Sequence, residues 1–240
     1  MIETGFGSLL EGVEKLGFAL PINNLTLRKA LKLAFSDPAS RRTDIRGIIR
    51  ADIAREAGTD SGGGDFYGPF WYDAKQHVLG LSDLHVDTQN RIDSNPRRRN
   101  LYPQLRDGFL LWWSERRRWI NSPYEQGDNH SGQISIPQIG MTIRVENLIS
   151  VIDGHGDEYA VYPYFSPEPN ISEDAGRVGL WGMTEALTEI SPSQLRLLDV
   201  LRGQAFSLDR SPLQGNEREV FTARLSAVIE EYEALLAEYE

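Results

Sequence analysis

The chain has 240 residues, 40% hydrophobic and 25% charged, with 35 acidic against 25 basic side chains and a net charge of −10. That composition supports a packed core, and the acidic balance disfavours nucleic-acid binding over the whole surface. The absence of cysteine excludes disulfides, thiolate metal sites, iron–sulfur clusters and cysteine nucleophiles.

The opening stretch MIETGFGSLLEGVEKLG carries Glu3 and lacks a basic region ahead of an apolar core, so it does not read as a secretory signal. No apolar run approaches the roughly 18 to 20 residues needed to span a bilayer. The expectation is a cytoplasmic, bacterial-type protein without membrane contact. Lysine occurs only at 15, 29, 32 and 75, which excludes a catalytic lysine beyond Lys75. A GC-rich genome accounts for the arginine preference; bidentate pairing with carboxylate or phosphate is the functional alternative. Charge is also split along the chain. Residues 1–120 hold 18 basic and 15 acidic side chains, and residues 121–240 hold 7 and 20, giving +3 and −13. Such halves can dock on each other, dimerise head to tail or meet different partners.

In chain order, LTLRKALKLAF predicts a helix with Leu27, Leu31 and Ala34 on one face. A second helix is expected from Thr43 as N-cap, through Ile45, Ile48, Ile49 and Ile53, to a stop at Gly58. On it Arg42, Arg46 and Arg50 form a basic stripe, either a solvated face or a phosphate-contacting one. Residues 58–71 read as a glycine-rich linker with an aromatic end pinned to the core, not as a phosphate-binding loop. Ala74, Val78, Leu81, His85, Thr88 and Ile92 step by four and three, the spacing of a helix seam. Asn95 and Pro96 then start the next helix, so residues 72–120 are expected to form a long αα-hairpin. Tyr102, Leu105, Phe109, Trp112 and Trp113 mark that second helix as largely buried. Arg116, Arg117 and Arg118 suit its C-terminal dipole, whereas Arg97, Arg98 and Arg99 sit at the start, where an anion is welcome.

The β signal falls within 132–165: QISIPQI, MTIRVENLISVID and EYAVYPYF, the last two joined by DGHGD. They predict a three-stranded antiparallel sheet. Ser172 caps a helix whose face of Ala175, Gly179, Gly182 and Ala186 permits close approach by another element. Ser191, Pro192 and Gln194 read as the start of a further helix with Leu195, Leu198 and Leu201 as its stripe, stopped by Gly203. Phe221, Leu225, Val228, Tyr232, Leu235 and Tyr239 then form one apolar seam on a last helix with an acidic back.

The fold class expected is therefore α+β and predominantly helical: N-terminal helices with the hairpin, a small sheet and C-terminal helices. Its organisation reads as a mildly basic helical part over 1–120 and an acidic α+β part over 131–240, with helices over 172–240, the two being either separate or one continuous domain. No G-x-S-x-G, H-E-x-x-H, EF-hand or dinucleotide pattern is present. Asp153 could stand as the first acid of a PD-(D/E)xK nuclease, but no D/E-x-K follows it. Asp153, His155 and Asp157 are the metal or acid–base candidates, although a tight turn calls for the same residue types. The sequence points to no cofactor. It favours a non-enzymatic interaction or accessory protein that meets a protein partner, or a second copy of itself, through the acidic half and the Phe221 to Tyr239 seam. The alternative is nucleic-acid binding, with or without degenerate nuclease activity, through Arg42, Arg46, Arg50 and Arg97 to Arg99.

Overall fold

The computed structural model describes residues 21–59 and 66–239. The N-terminal stretch and the centre of the glycine-rich linker, both singled out above, lie outside the described residues. Among the described residues, seven α-helices and two mixed sheets make an α+β fold. No described helix is long and apolar enough to cross a membrane.

The strands are β1 (Asn24–Thr26), β2 (Glu125–Gln126), β3 (Gly132–Ile136), β4 (Met141–Val145), β5 (Ile149–Ile152), β6 (Glu158–Tyr164), β7 (Leu195–Asp199) and β8 (Gln204–Phe206). The helices are α1 (Leu27–Phe35), α2 (Pro38–Glu56), α3 (Gly68–Val78), α4 (Leu84–Ser94), α5 (Tyr102–Leu110), α6 (Glu173–Ala186) and α7 (Glu217–Leu236). One sheet has the order β1-β4-β3 and the other β2-β5-β6-β7-β8. Two pairs, β1 with β4 and β6 with β7, are parallel. Helix α6 connects β6 to β7, supplying the crossover that a parallel pair requires.

The centre of the larger sheet, β6 and β7, is buried on both faces. Ala160, Tyr162 and Tyr164 of β6, with Leu195 and Leu197 of β7, join a core made by α1, α2, α6, α7 and the smaller sheet. Val161 and Leu198, offset by one residue from those neighbours, join a second core made by α3, α4 and α5. Small residues bring α6 close. A Cβ at Gly179 would stand 2.5 Å from Leu197 and 3.0 Å from Leu31, so the expected small face is where the helix meets the sheet and α1.

Four expectations are corrected. The single antiparallel sheet becomes two mixed sheets because MTIRVENLISVID is two strands. Asn147, at φ 62°, turns the chain from β4 in one sheet to β5 in the other. Its carbonyl accepts from Trp71 Nε1 at 2.8 Å and its Oδ1 from Lys75 Nζ at 2.8 Å, so α3 fastens the switch point. The expected helix at Leu195 is strand β7. Its burial on both faces fills successive positions with leucine and removes the alternation that marks a half-exposed strand.

The αα-hairpin is three helices rather than two. Gly80, in the left-handed region at φ 70°, breaks the first arm, and Asp83 starts α4 by accepting from the backbone N–H groups of His85 and Val86. Leu81 and His85 consequently face outward instead of lying in a seam. Finally, α2 begins at Pro38, capped by Asp37 rather than Thr43. Asp37 accepts from the backbone N–H groups of Ala39 and Ser40.

The charge split closes on itself where α2 meets α7. Glu231 bridges Arg41 Nε at 2.5 Å and Arg42 Nε at 3.1 Å, and Glu238 holds Arg46 at 3.0 Å. Arg50 Nε donates to the Tyr239 hydroxyl at 3.3 Å. Burial pushes the Glu231 carboxyl up, but the hydrogen bonds and charges of Arg41 and Arg42 outweigh it and hold the group below its ordinary value.

Two outcomes follow. Asn147→Val, which puts a branched side chain at a left-handed position, lowers stability in urea unfolding by about 1–2 kcal/mol or more, whereas Asn147→Gly loses less. A carboxylate with a depressed folded pKa stabilises fully above its unfolded value, 4.5 for glutamate, and that contribution disappears as pH falls through the folded value. Glu231→Gln therefore costs about 1.5–3 kcal/mol at neutral pH. Its stability falls less than the parent's between about pH 5 and 3 in urea titrations.

Candidate functional site

Helix α5 does not end at Leu110 but continues as a π-helix, Leu111–Arg116. Its last wide turn is closed by the Arg117 N–H on the Trp112 carbonyl at 2.8 Å. The wider turn inserts a residue into the helical register, a distortion that recurs at functional sites. The backbone of α5 lies against the turn after β7. A Cβ on Gly108 would fall 2.1 Å from the Val200 carbonyl, so only glycine allows the approach.

Around this junction lies a basic cleft. A cavity of about 310 Å³ is lined by Trp112, Arg116, Glu173, Arg210 and the β8 strand. A smaller one of about 40 Å³ shares Trp112, Arg116, Ala205 and Arg210 and adds Arg117, Arg118, Arg196 and Asp209. Five guanidiniums thus line the joined space against the two carboxylates of Glu173 and Asp209.

Each arginine is placed differently. Arg116 donates to the carbonyls of Arg202 and Gly203 at 2.9 and 3.1 Å. Arg117 lies in a cage of Trp113, Trp119 and Tyr124, with its guanidinium carbon 3.5, 4.5 and 4.5 Å from the three ring centres. Its Nε donates to the Trp113 carbonyl, while Nη1 is buried without a hydrogen-bond partner among the described residues. Burial lowers the Arg117 pKa, and it does the same to Arg196, which donates to the carbonyls of Ser193 and Leu195. Arg118 reaches Asp209 at 3.4 Å. The Arg210 guanidinium is exposed and makes no hydrogen bond or ion pair with a described residue. Asp209 is held below the ordinary carboxylate range first by the Ser207 hydroxyl and then by Arg196.

Trp112, Trp113 and Trp119 are 2%, 9% and 6% exposed, so their faces belong to the core and are not free for stacking. A separate cavity of about 140 Å³ between β1, β6 and α3 balances Arg28 against Glu146 and carries no comparable charge.

The residues singled out in the sequence fall elsewhere. Phe221, Leu225, Val228, Tyr232 and Leu235 are buried in the protein's own core beneath α1 and α2, and only Tyr239 of that seam is exposed. The seam offers no outward face. Arg42 is engaged by Glu231 of α7, and Arg46 and Arg50 by Glu238 and Tyr239 just after it, as described above. Arg98 donates to the Arg91 carbonyl and lies over the Tyr102 ring at 5.2 Å, while Arg97 and Arg99 stand exposed.

Asp153 is a turn-former. Its Oδ1 accepts from the backbone of His155 and Asp157, and its Oδ2 from Asn121 Nδ2 at 3.0 Å. His155 and Asp157 point to solvent, and the three make no metal-type cluster. The titratable group that does form, Asp128, His130 and Glu158, escaped sequence reasoning. Its members are 28 residues or more apart across a loop and a strand, except for the unremarked D-x-H pair. The basic cleft was half visible in Arg116 to Arg118; Arg196 and Arg210 reach it only through the β6–β7 crossover. No protein-family model matches the chain, and no curated protein matches it.

Proposed function

We propose that this is an accessory binding protein that takes a phosphate-bearing ligand in the arginine cleft. The observation that carries the reading is uncompensated charge: five guanidiniums face two carboxylates, a formal excess of three. A carboxylate ligand brings one negative charge per group, whereas a phosphate monoester brings about 1.5 to 2 at neutral pH. A diphosphate therefore matches the excess, and arginine forks suit its oxygens in pairs. The cleft, about 310 Å³ in its larger part, falls at the lower end of small-molecule sites. Because the indoles are buried, the reading assigns recognition to the phosphates rather than to a stacked base.

A nucleic-acid strand is the second reading, favoured by Arg97 and Arg99. They stand exposed at the far end of a helix of nine α-helical and six π-helical residues. The two basic ends are then about 20 Å apart. Strand binding would engage both ends and weaken steeply with salt.

Titration of tryptophan fluorescence with inorganic diphosphate, and separately with a single-stranded oligonucleotide, decides between them. Saturable diphosphate binding is expected. Arg118→Ala and Arg210→Ala each weaken it by about tenfold or more, as loss of one charge-assisted hydrogen bond does. Arg97→Ala with Arg99→Ala leaves it unchanged. Oligonucleotide binding that needs Arg97 and Arg99 as well, and falls steeply with salt, selects the second reading. Saturation by neither probe removes both.

A further inference from the structure

The loop before β3 and the first residue of β6 bring together Asp128, His130 and Glu158. One ligand-type atom from each lies within 4.8 Å of the other two. From this geometry we infer a site for one divalent transition-metal ion of the zinc class, held by the His130 imidazole and the Asp128 and Glu158 carboxylates.

The donor set agrees with the ion. One imidazole nitrogen and two carboxylate oxygens suit zinc, which binds such atoms at about 2.0–2.2 Å, and three protein ligands leave a coordination position open. Charge points the same way. Two carboxylates meet one imidazole, and no arginine or lysine is ion-paired with any of the three among the described residues. The Asp128 carboxylate makes no hydrogen bond to a described residue, although its backbone N–H donates to Glu158. A divalent cation neutralises what this cluster leaves uncompensated.

The surroundings hold the ligands in place. The His130 side chain is 8% exposed, and its Nε2 lies 2.9 Å from Glu158 Oε1. That contact is a hydrogen bond; tetrahedral ligands at about 2.05 Å stand roughly 3.3 Å apart, so an ion takes the place of the shared proton with a shift of a few tenths of an ångström. The Ser150 hydroxyl donates to the same Glu158 oxygen at 2.6 Å, the kind of outer contact that orients a ligating carboxylate. Gly127 lets the loop close over the site, since a Cβ there would fall 2.4 Å from both the Glu158 carboxylate and the Ser150 hydroxyl. Ser150 is not set up as a nucleophile. Its hydroxyl and His130 Nε2 both meet Glu158 Oε1, so the hydroxyl proton is directed to the carboxylate and not to the imidazole.

The test is titration of the full chain, freed of any purification tag, with Co²⁺ followed by visible absorption and then with Zn²⁺. Expected are one Co²⁺ per chain with ligand-field bands, displacement by one Zn²⁺, and loss of the bands in His130→Ala. Asp128 is exposed, so Asp128→Asn leaves the fold intact and decides the matter if the histidine variant does not fold. It weakens binding by at least the roughly tenfold that loss of an outer-shell partner costs. Absence of stoichiometric Co²⁺ and Zn²⁺ binding, or binding unchanged in Asp128→Asn, overturns the assignment. The outcome is independent of the diphosphate titration, because none of the three ligands lines the arginine cleft.

Discussion

The parallel pairing of β6 with β7 is the constraint on which the rest of the structure depends. Both strands place apolar side chains on both faces, so the sheet they centre must be covered twice. One cover is α1, α2, α6 and α7; the other is the aromatic-rich group of α3, α4 and α5. The parallel pair also demands a crossover, and α6 supplies it with glycines where it lies on Leu197. The turn after β7 then becomes the surface on which α5 rests at Gly108. Arg196, on one side of that turn, and Arg210, beyond β8, are brought by this route to the arginines that end the π-helix.

Charge follows the same architecture. The basic stripe of α2 and two carboxylates of the C-terminal segment, Glu231 and Glu238, are partners within one molecule. The cluster around Arg116 and Arg210 is not neutralised in this way. Segment 117–130 links the two sites: it begins at Arg117 in its aromatic cage and ends at Asp128 and His130 beside Glu158. A positively charged cleft and a negatively charged cluster therefore sit at opposite ends of one stretch of chain, each with charge left for a ligand to balance.

Part of the helical framework was legible because amphipathic spacing survives where one helix face meets water, as in α1, read from Leu27 and Leu31, and α7, read from Phe221 through Leu235; α6, buried from Ala175 to Met183 except at Arg177, was legible through its Ser172 cap. Legibility failed where burial is two-sided, as in β7, whose successive leucines mimic a helical stripe. It failed again where one residue's backbone conformation redirects the chain, as at Gly80 and Asn147. The seam of α7 was found but its covering was not, because spacing cannot say whether the partner helix lies in the same chain. The sites were least legible. Arg116 and Arg210, like His130 and Glu158, become neighbours only through strand pairing, and no local pattern records that.

The most direct measurement is a crystal structure of the protein with inorganic diphosphate bound. Diphosphate oxygens are expected between the guanidiniums of Arg116, Arg118 and Arg210, at the end of the π-helix. Diphosphate found instead at Arg97 and Arg99, or no ordered diphosphate at saturating concentration, would contradict it.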